Sequence, residues 1–170
     1  HEVYADETNG INGHHAVVEH NTFVGLEVLM SLRRGTGHTV RNNVFFVMTH
    51  QAASANFDSG AYLLVSEHAG DPVDPAQSAL HDITSDDNCF VTASDGFQFA
   101  MRRIPPEVTG SDWLLDHWTR TEAQTLFGFD ASSVFVVETD PGAVFVDPQS
   151  GNYALVDGSA CAGKGHTAAP

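Results

Sequence analysis

Val18-Glu19-His20-Asn21-Thr22-Phe23 and Val40-Arg41-Asn42-Asn43-Val44-Phe45 align without a gap, and this pairing decides the fold. The offset is 45 − 23 = 22 residues, and a third copy, Ser85-Asp86-Asp87-Asn88-Cys89-Phe90, follows 90 − 45 = 45 residues later. Each copy sets an Asn two residues before a Phe. Asn suits a tight bend, because it tolerates the left-handed backbone and its amide bonds the main chain. Stacked at a fixed period, Asn21, Asn43 and Asn88 would form an amide ladder, with Phe23, Phe45 and Phe90 stacked inside. Isolated Asn-x-Phe matches also arise in β-sandwiches. The ungapped pairing, with Val18 over Val40, favours a solenoid of repeating coils.

The segments between the bends read as strands. Glu27 to Arg34 alternates with Val28, Met30 and Leu32 on one face, and Phe97 to Arg103 with Phe97, Phe99 and Met101. Ala61 to Glu67 is apolar and β-prone, and period-two alternation marks a half-buried strand. Polar loops over His50 to Ser59 and Gly70 to Pro75 explain why the second interval is about twice the first. One helix is predicted, with Thr119 as N-cap, Glu122 completing a capping box, and Gly128 as the stop. The expected fold is all-β: a right-handed parallel β-helix of three-strand coils with one short helix near the C-terminus. Residues 1–170 form a single domain, the C-terminal part of a longer solenoid. Coils and loops occupy 1–110, a helical insertion 111–128 and closing strands 129–170.

Composition narrows the partners. The chain carries 22 Asp plus Glu against 7 Lys plus Arg, a formal charge of −15. Such a balance argues against nucleic acid and against membranes. No apolar run reaches the roughly 18 residues of a transmembrane helix. Lys164 is the single lysine, and an acidic, lysine-poor surface suits a salty or extracellular setting. Cys89 and Cys161 lie outside any zinc spacing, and their apolar neighbours favour two buried free thiols.

From Trp118 to Gly165 the chain resembles the closing segment of the right-handed parallel β-helix repeat family, which has the pectate lyase-like fold. The residues concerned are Gly128-Phe129-Asp130-Ala131-Ser132-Ser133, Pro141 to Pro148, Gly151-Asn152-Tyr153-Ala154-Leu155 and Gly158 to Gly163. Gly142-Ala143 lengthens the usual Pro-to-Phe spacing, and Ala160 stands where Pro is usual. The resemblance implies a secreted or cell-surface protein of polysaccharide lyase-like ancestry. The fold hosts lyases, epimerases, hydrolases and non-enzymes alike.

Four of the seven basic residues, Arg33, Arg34, Arg102 and Arg103, end equivalent strands, and Glu67-His68 ends the strand between them. Arginine grips carboxylate or sulfate in a bidentate fork. An arginine strip on an anionic protein is what an acidic polysaccharide requires. Arg33, Arg34, Glu67, Arg102 and Arg103 are therefore the expected substrate-binding residues. By analogy with lyases of this fold class, His68 is the candidate base, with Arg33 and Arg102 neutralising the uronate carboxylate. The Lys and Arg pair typical of the alginate lyase-like branch is not recognisable, and a surface cluster in which Glu67 bridges the arginines is the competing reading. A non-catalytic surface, adhesion or assembly module is the alternative function.

Ten histidines contain no H-x-H or H-E-x-x-H pattern, so no metal centre is expected. No cofactor is called for; calcium is the candidate ion, at Asp86-Asp87 or Asp71/Asp74. The polar stretch His1 to Gly13 shows no capping helix. The first coil is therefore expected to meet upstream coils or another chain end to end, through Val17, Val18, Phe23 and Val28.

Overall fold

Parallel backbone pairing organises the chain, which is mainly β with one helix. A computed structural model describes residues 2–3, 15–25, 30–33, 37–47, 61–66, 82–92, 98–103 and 114–165. After strand β1 (Glu2–Val3), the chain makes passes that each leave one strand in each of three sheets. The first pass is β2 (Val17–Glu19), β3 (Thr22–Gly25) and β4 (Met30–Arg33). The second is β5 (Thr39–Arg41), β6 (Val44–Val47) and β7 (Ala61–Ser66). The third is β8 (Thr84–Asp86), β9 (Cys89–Thr92) and β10 (Gln98–Arg103). One sheet runs β2-β5-β8, a second β3-β6-β9 with β12 (Val134–Val137) added, and a third β1-β4-β7-β10. All these pairs are parallel. The segment expected as a helical insertion opens instead with β11 (Leu114–Thr119), which pairs antiparallel with β10.

The repeats align in register. Phe23, Phe45, Phe90 and Phe135 are successive partners, as are Val18, Val40 and Ser85. Ring centroids follow at 5.0, 5.1 and 4.9 Å with the rings nearly parallel. That spacing is the parallel-strand distance of about 4.8 Å, so the ladder itself sets the ring stack. Phe135 belongs to a fourth copy that the Asn-x-Phe pattern misses, because Ser133 stands where Asn would. Its offset, 135 − 90 = 45, repeats the earlier interval.

The amide ladder is present. The backbone N–H and Nδ2 of Asn21 donate to Asn43 Oδ1 at 3.0 and 3.3 Å. Those of Asn43 donate to Asn88 Oδ1 at 3.0 and 3.1 Å. Asn43 and Asn88 are fully buried, and their Nδ2 atoms also reach the carbonyls of Val18, Arg41 and Val40. The left-handed corner expected at the Asn lies one residue earlier, at His20 (φ 57°), Asn42 (φ 53°) and Asp87 (φ 57°). The corner residue turns the chain, which frees the next side chain to run along the ladder.

Helix α1 (Arg120–Phe127) has the predicted capping box, with Thr119 and Glu122 exchanging bonds, and Gly128 in the left-handed conformation ends it. The Thr119 backbone N–H, and then its hydroxyl, hold the Glu122 carboxyl below its ordinary range. The Arg120 guanidinium lies 4.0 Å from the Phe135 ring centroid and so covers the end of the ring stack.

Residues 141–163 cover a sheet face. Two 3₁₀ turns (Pro141–Ala143 and Pro148–Ser150) flank β13 (Phe145–Asp147), which pairs antiparallel with β14 (Asn152–Leu155). Val144, Phe145 and Cys161 join Val44, Phe46, Cys89 and Val91 in one buried cluster. The β3-β6-β9-β12 sheet is thus covered on both faces, which explains the continuous apolar run Val44 to Val47. The strap ends where the Gly165 N–H donates to the Asn42 carbonyl at 2.7 Å. A Cβ on Gly165 would lie 2.7 Å from Val44 Cγ2, so only glycine passes so close to β6.

Cys89 and Cys161 are disulfide-bonded, which corrects the expectation of free thiols. The apolar neighbours that suggested separate burial are the two surfaces that meet, strap on sheet. The bond spans 72 residues of sequence and ties the strap to β9.

Two stability tests follow from this packing. Asn43→Ala strands the ladder donors and acceptors on either side, so denaturant unfolding is expected to show a loss of about 1–3 kcal/mol. An unchanged midpoint would count against the ladder as a source of stability. Replacing both cysteines by alanine is expected to cost about 2–4 kcal/mol, with reduction of the parent protein giving a matching loss. Equal stability of the oxidised and reduced protein would show that the strap holds by packing alone.

Candidate functional site

Backbone register places two of the expected binding residues in one row, with one strand between them. Arg33 of β4 and Arg102 of β10 are both partners of Ser66 in β7. Residues in one register row share one face of the sheet, and two strand steps separate the arginine positions by roughly 10 Å. Beyond Arg102 the row continues to Leu115 of β11, and Arg103 is paired with Leu114. Arg34, Glu67 and His68 lie outside the described residues. Ser66 is therefore the observed neighbour of the arginine positions. A lone Ser at a strand end carries no sequence signal until register is known.

A second feature lies at the opposite end of the stack from α1. A cleft of about 510 Å³ separates the edge of β3 from β14 and is lined by Asn21, Phe23, Asn152 and Tyr153 among others. A cavity of about 420 Å³ adjoins it, between Val24 and strap residues that include Pro141, Val146 and Tyr153. Val17, Val146 and Tyr153 are exposed large apolar side chains. Val17 and Phe23 were expected at an end contact. The contribution of Tyr153 was not legible, because it depends on the strap folding back over β3.

The titratable groups expected as ligands do not assemble a metal centre among the described residues. Asp86 accepts the Ser132 N–H at 2.7 Å and Asp87 pairs with Lys164 at 3.1 Å, so the two carboxylates serve separate contacts. Asp71 and Asp74 lie outside the described residues. Among the described residues no helix is long and apolar enough to cross a membrane.

Asp130 is the one fully buried carboxylate among the described residues. It ends the amide ladder, where Asn88 Nδ2 and Ser133 Oγ donate to Oδ1 at 3.0 and 2.6 Å and Ser85 Oγ donates to Oδ2 at 2.9 Å. Burial pushes its carboxyl above the ordinary range. The bonds from Ser133, Asn88 and Ser85 oppose this, and the nearby Asp86 carboxylate adds to the rise. A buried side chain bonded on every side is a structural terminus, out of reach of a ligand.

Because the folded value is raised, the protonated form is favoured in the folded state. Its contribution to stability is present below the ordinary value of 3.8 and is lost as pH rises through the folded value. Asp130→Asn mimics the neutral form. Its stability relative to the parent is therefore expected to improve between about pH 3 and pH 7. Urea unfolding across that range checks this, and parallel pH curves for the two proteins would refute it.

No protein-family model, no curated protein and no solved structure matches this chain.

Proposed function

We propose that the chain is a stretch of right-handed parallel β-helix from a secreted or cell-surface protein that binds acidic polysaccharide. The β-helix reading is supported by the parallel return of the chain to two sheets at intervals of 22 and 45 residues and to a third at 33 and 36 residues over the same three passes. Parallel crossovers of this kind are right-handed in nearly every known case. The buried disulfide suits an oxidising compartment.

The observation that carries the functional reading is the row Arg33, Ser66, Arg102 on a protein of net charge −15. A general cation surface would attract any anion. Two arginine positions about 10 Å apart on one face instead match carboxylates or sulfates spaced along a sugar chain. Arg34, Glu67 and Arg103 flank this row in sequence. If the protein turns substrate over, His68 is the base and the reaction is β-elimination at a uronate whose carboxylate the arginines neutralise. A non-catalytic surface or assembly module is the second reading, favoured by the cleft beside β3. The two readings separate on product formation.

The test is binding to polyuronates and sulfated glycans at low salt. The parent is expected to bind, and Arg33→Ala with Arg102→Ala to bind at least about tenfold more weakly, as loss of charge-assisted bonds requires. Undiminished binding by that double variant would overturn the arginine row. A rise in absorbance from unsaturated uronate, abolished by His68→Ala, would establish the lyase; its absence across the panel selects the module.

A further inference from the structure

We propose that His117 is a third, pH-dependent cation of the polyanion site, on the same sheet face as Arg33 and Arg102. The ligand is the acidic polysaccharide of the arginine row, held more tightly as pH falls through the histidine range. This role rests on the arginine row being the polyanion site, and it adds the residue that regulates it.

Antiparallel pairing brings His117 to that face. The residue belongs to the segment expected as a helical insertion, but it lies in β11, where it is the Cα partner of Ala100. Leu115 is the partner of Arg102. Ala100 and Arg102 are two residues apart on β10, so they share a face, and their partners share it with them. The rows on this face are Ser31-Leu64-Ala100-His117 and Arg33-Ser66-Arg102-Leu115. The alternate rows carry large apolar residues, among them Met30, Leu63, Phe99 and Trp118. The irregularity in β10 lies between Gln98 and Phe99, before the residues that fix this arrangement. Diagonal neighbours on adjacent antiparallel strands are roughly 7–8 Å apart. The positions of His117 and Arg102 are therefore closer than those of the two arginines, which two strand steps separate by roughly 10 Å.

His117 is the switchable member of this set. Arginine stays cationic at every physiological pH, whereas an ordinary histidine gains its charge between about pH 8 and pH 5. Among the described strand residues on this face, the nearest charged position to His117 is Arg102. Glu2 stands in the His117 row but four strands away, roughly 19 Å. Asp116 and Arg103 fall on the other face by alternation. Helix α1 contacts β10 and β11 and brings Arg120 and Glu122. Arg120 lies over Phe135, and Glu122 is engaged by Thr119. A polyanion along the row would thus meet two fixed charges and one that appears on acidification. Its carboxylates or sulfates favour the protonated ring, so binding and protonation reinforce each other. The formal charge of −15 repels a polyanion elsewhere on the protein, so each local cation weighs on affinity.

The test is binding of polygalacturonate and of heparin to the full chain at about pH 7.5 and about pH 5.5, a range that spans histidine titration. The carboxylates and sulfates of both probes stay ionised throughout. The parent is expected to bind more tightly at the lower pH. His117→Gln should match the parent at the higher pH, and its affinity should rise roughly fivefold less on acidification. His117→Arg should bind at the higher pH as tightly as the parent does at the lower, a gain that a misfolded variant would not show. Circular dichroism confirms that His117→Gln is folded. An equal rise on acidification in the parent and in His117→Gln overturns the role of His117. If Arg33→Ala with Arg102→Ala still loses binding in that case, the arginine row stands without it. A parent that binds neither glycan at either pH overturns the row and His117 together.

Discussion

Hydrogen bonding between parallel strands holds neighbouring chains about 4.8 Å apart, and the side chains of this protein are chosen to work at that distance. Two planar groups do so. Phenylalanine rings stack face to face at nearly the strand spacing, and carboxamides bond head to tail with one oxygen taking two donors. A buried amide without partners would be costly. The Asn ladder is therefore tolerable only if register is kept from one pass to the next. Register, ladder and ring stack depend on one another, and a slip in any would expose the others.

The two ends of this stack are treated differently. At the C-terminal end the repeat is altered: Ser133 replaces Asn, Asp130 accepts the last amide, and Arg120 lies over the last ring. A carboxyl group works as a terminator because its two oxygens accept all three of the side-chain bonds that reach it. At the other end Asn21 and Phe23 keep the unaltered repeat chemistry. Along the side, the strap makes one sheet a buried middle layer, fixed by packing against Phe46 and by the bond from Cys89 to Cys161.

The charge distribution gives the functional reading its shape. A protein with so few basic residues places two of them in one register row. Screening would erase the attraction of scattered surface arginines. Two forks on one face at a fixed separation can instead discriminate a polyanion by its spacing.

The sequence by itself determined the repeat, the corner spacing and the helix. Their signals are local: an Asn two residues before a Phe, alternation along Phe97 to Arg103, a capping box at Thr119 with Gly128 behind it. That Arg33 and Arg102 end equivalent strands two passes apart was also legible, because the same alternating pattern leads up to each. The tertiary structure decided what depends on contacts across long separations. Ser66 as the residue between the arginines required the strand register, including the irregularity between Gln98 and Phe99. The fourth repeat escaped notice because Ser133 replaces the marker residue while keeping its backbone role. The disulfide, the clefts at Tyr153 and the burial of Val44 on the outer side of its sheet all follow from one event, the return of residues 141–165 across β6 and β9. No local pattern encodes that return. It is set by which apolar surface the strap buries best, and that comparison exists only once the sheets have formed.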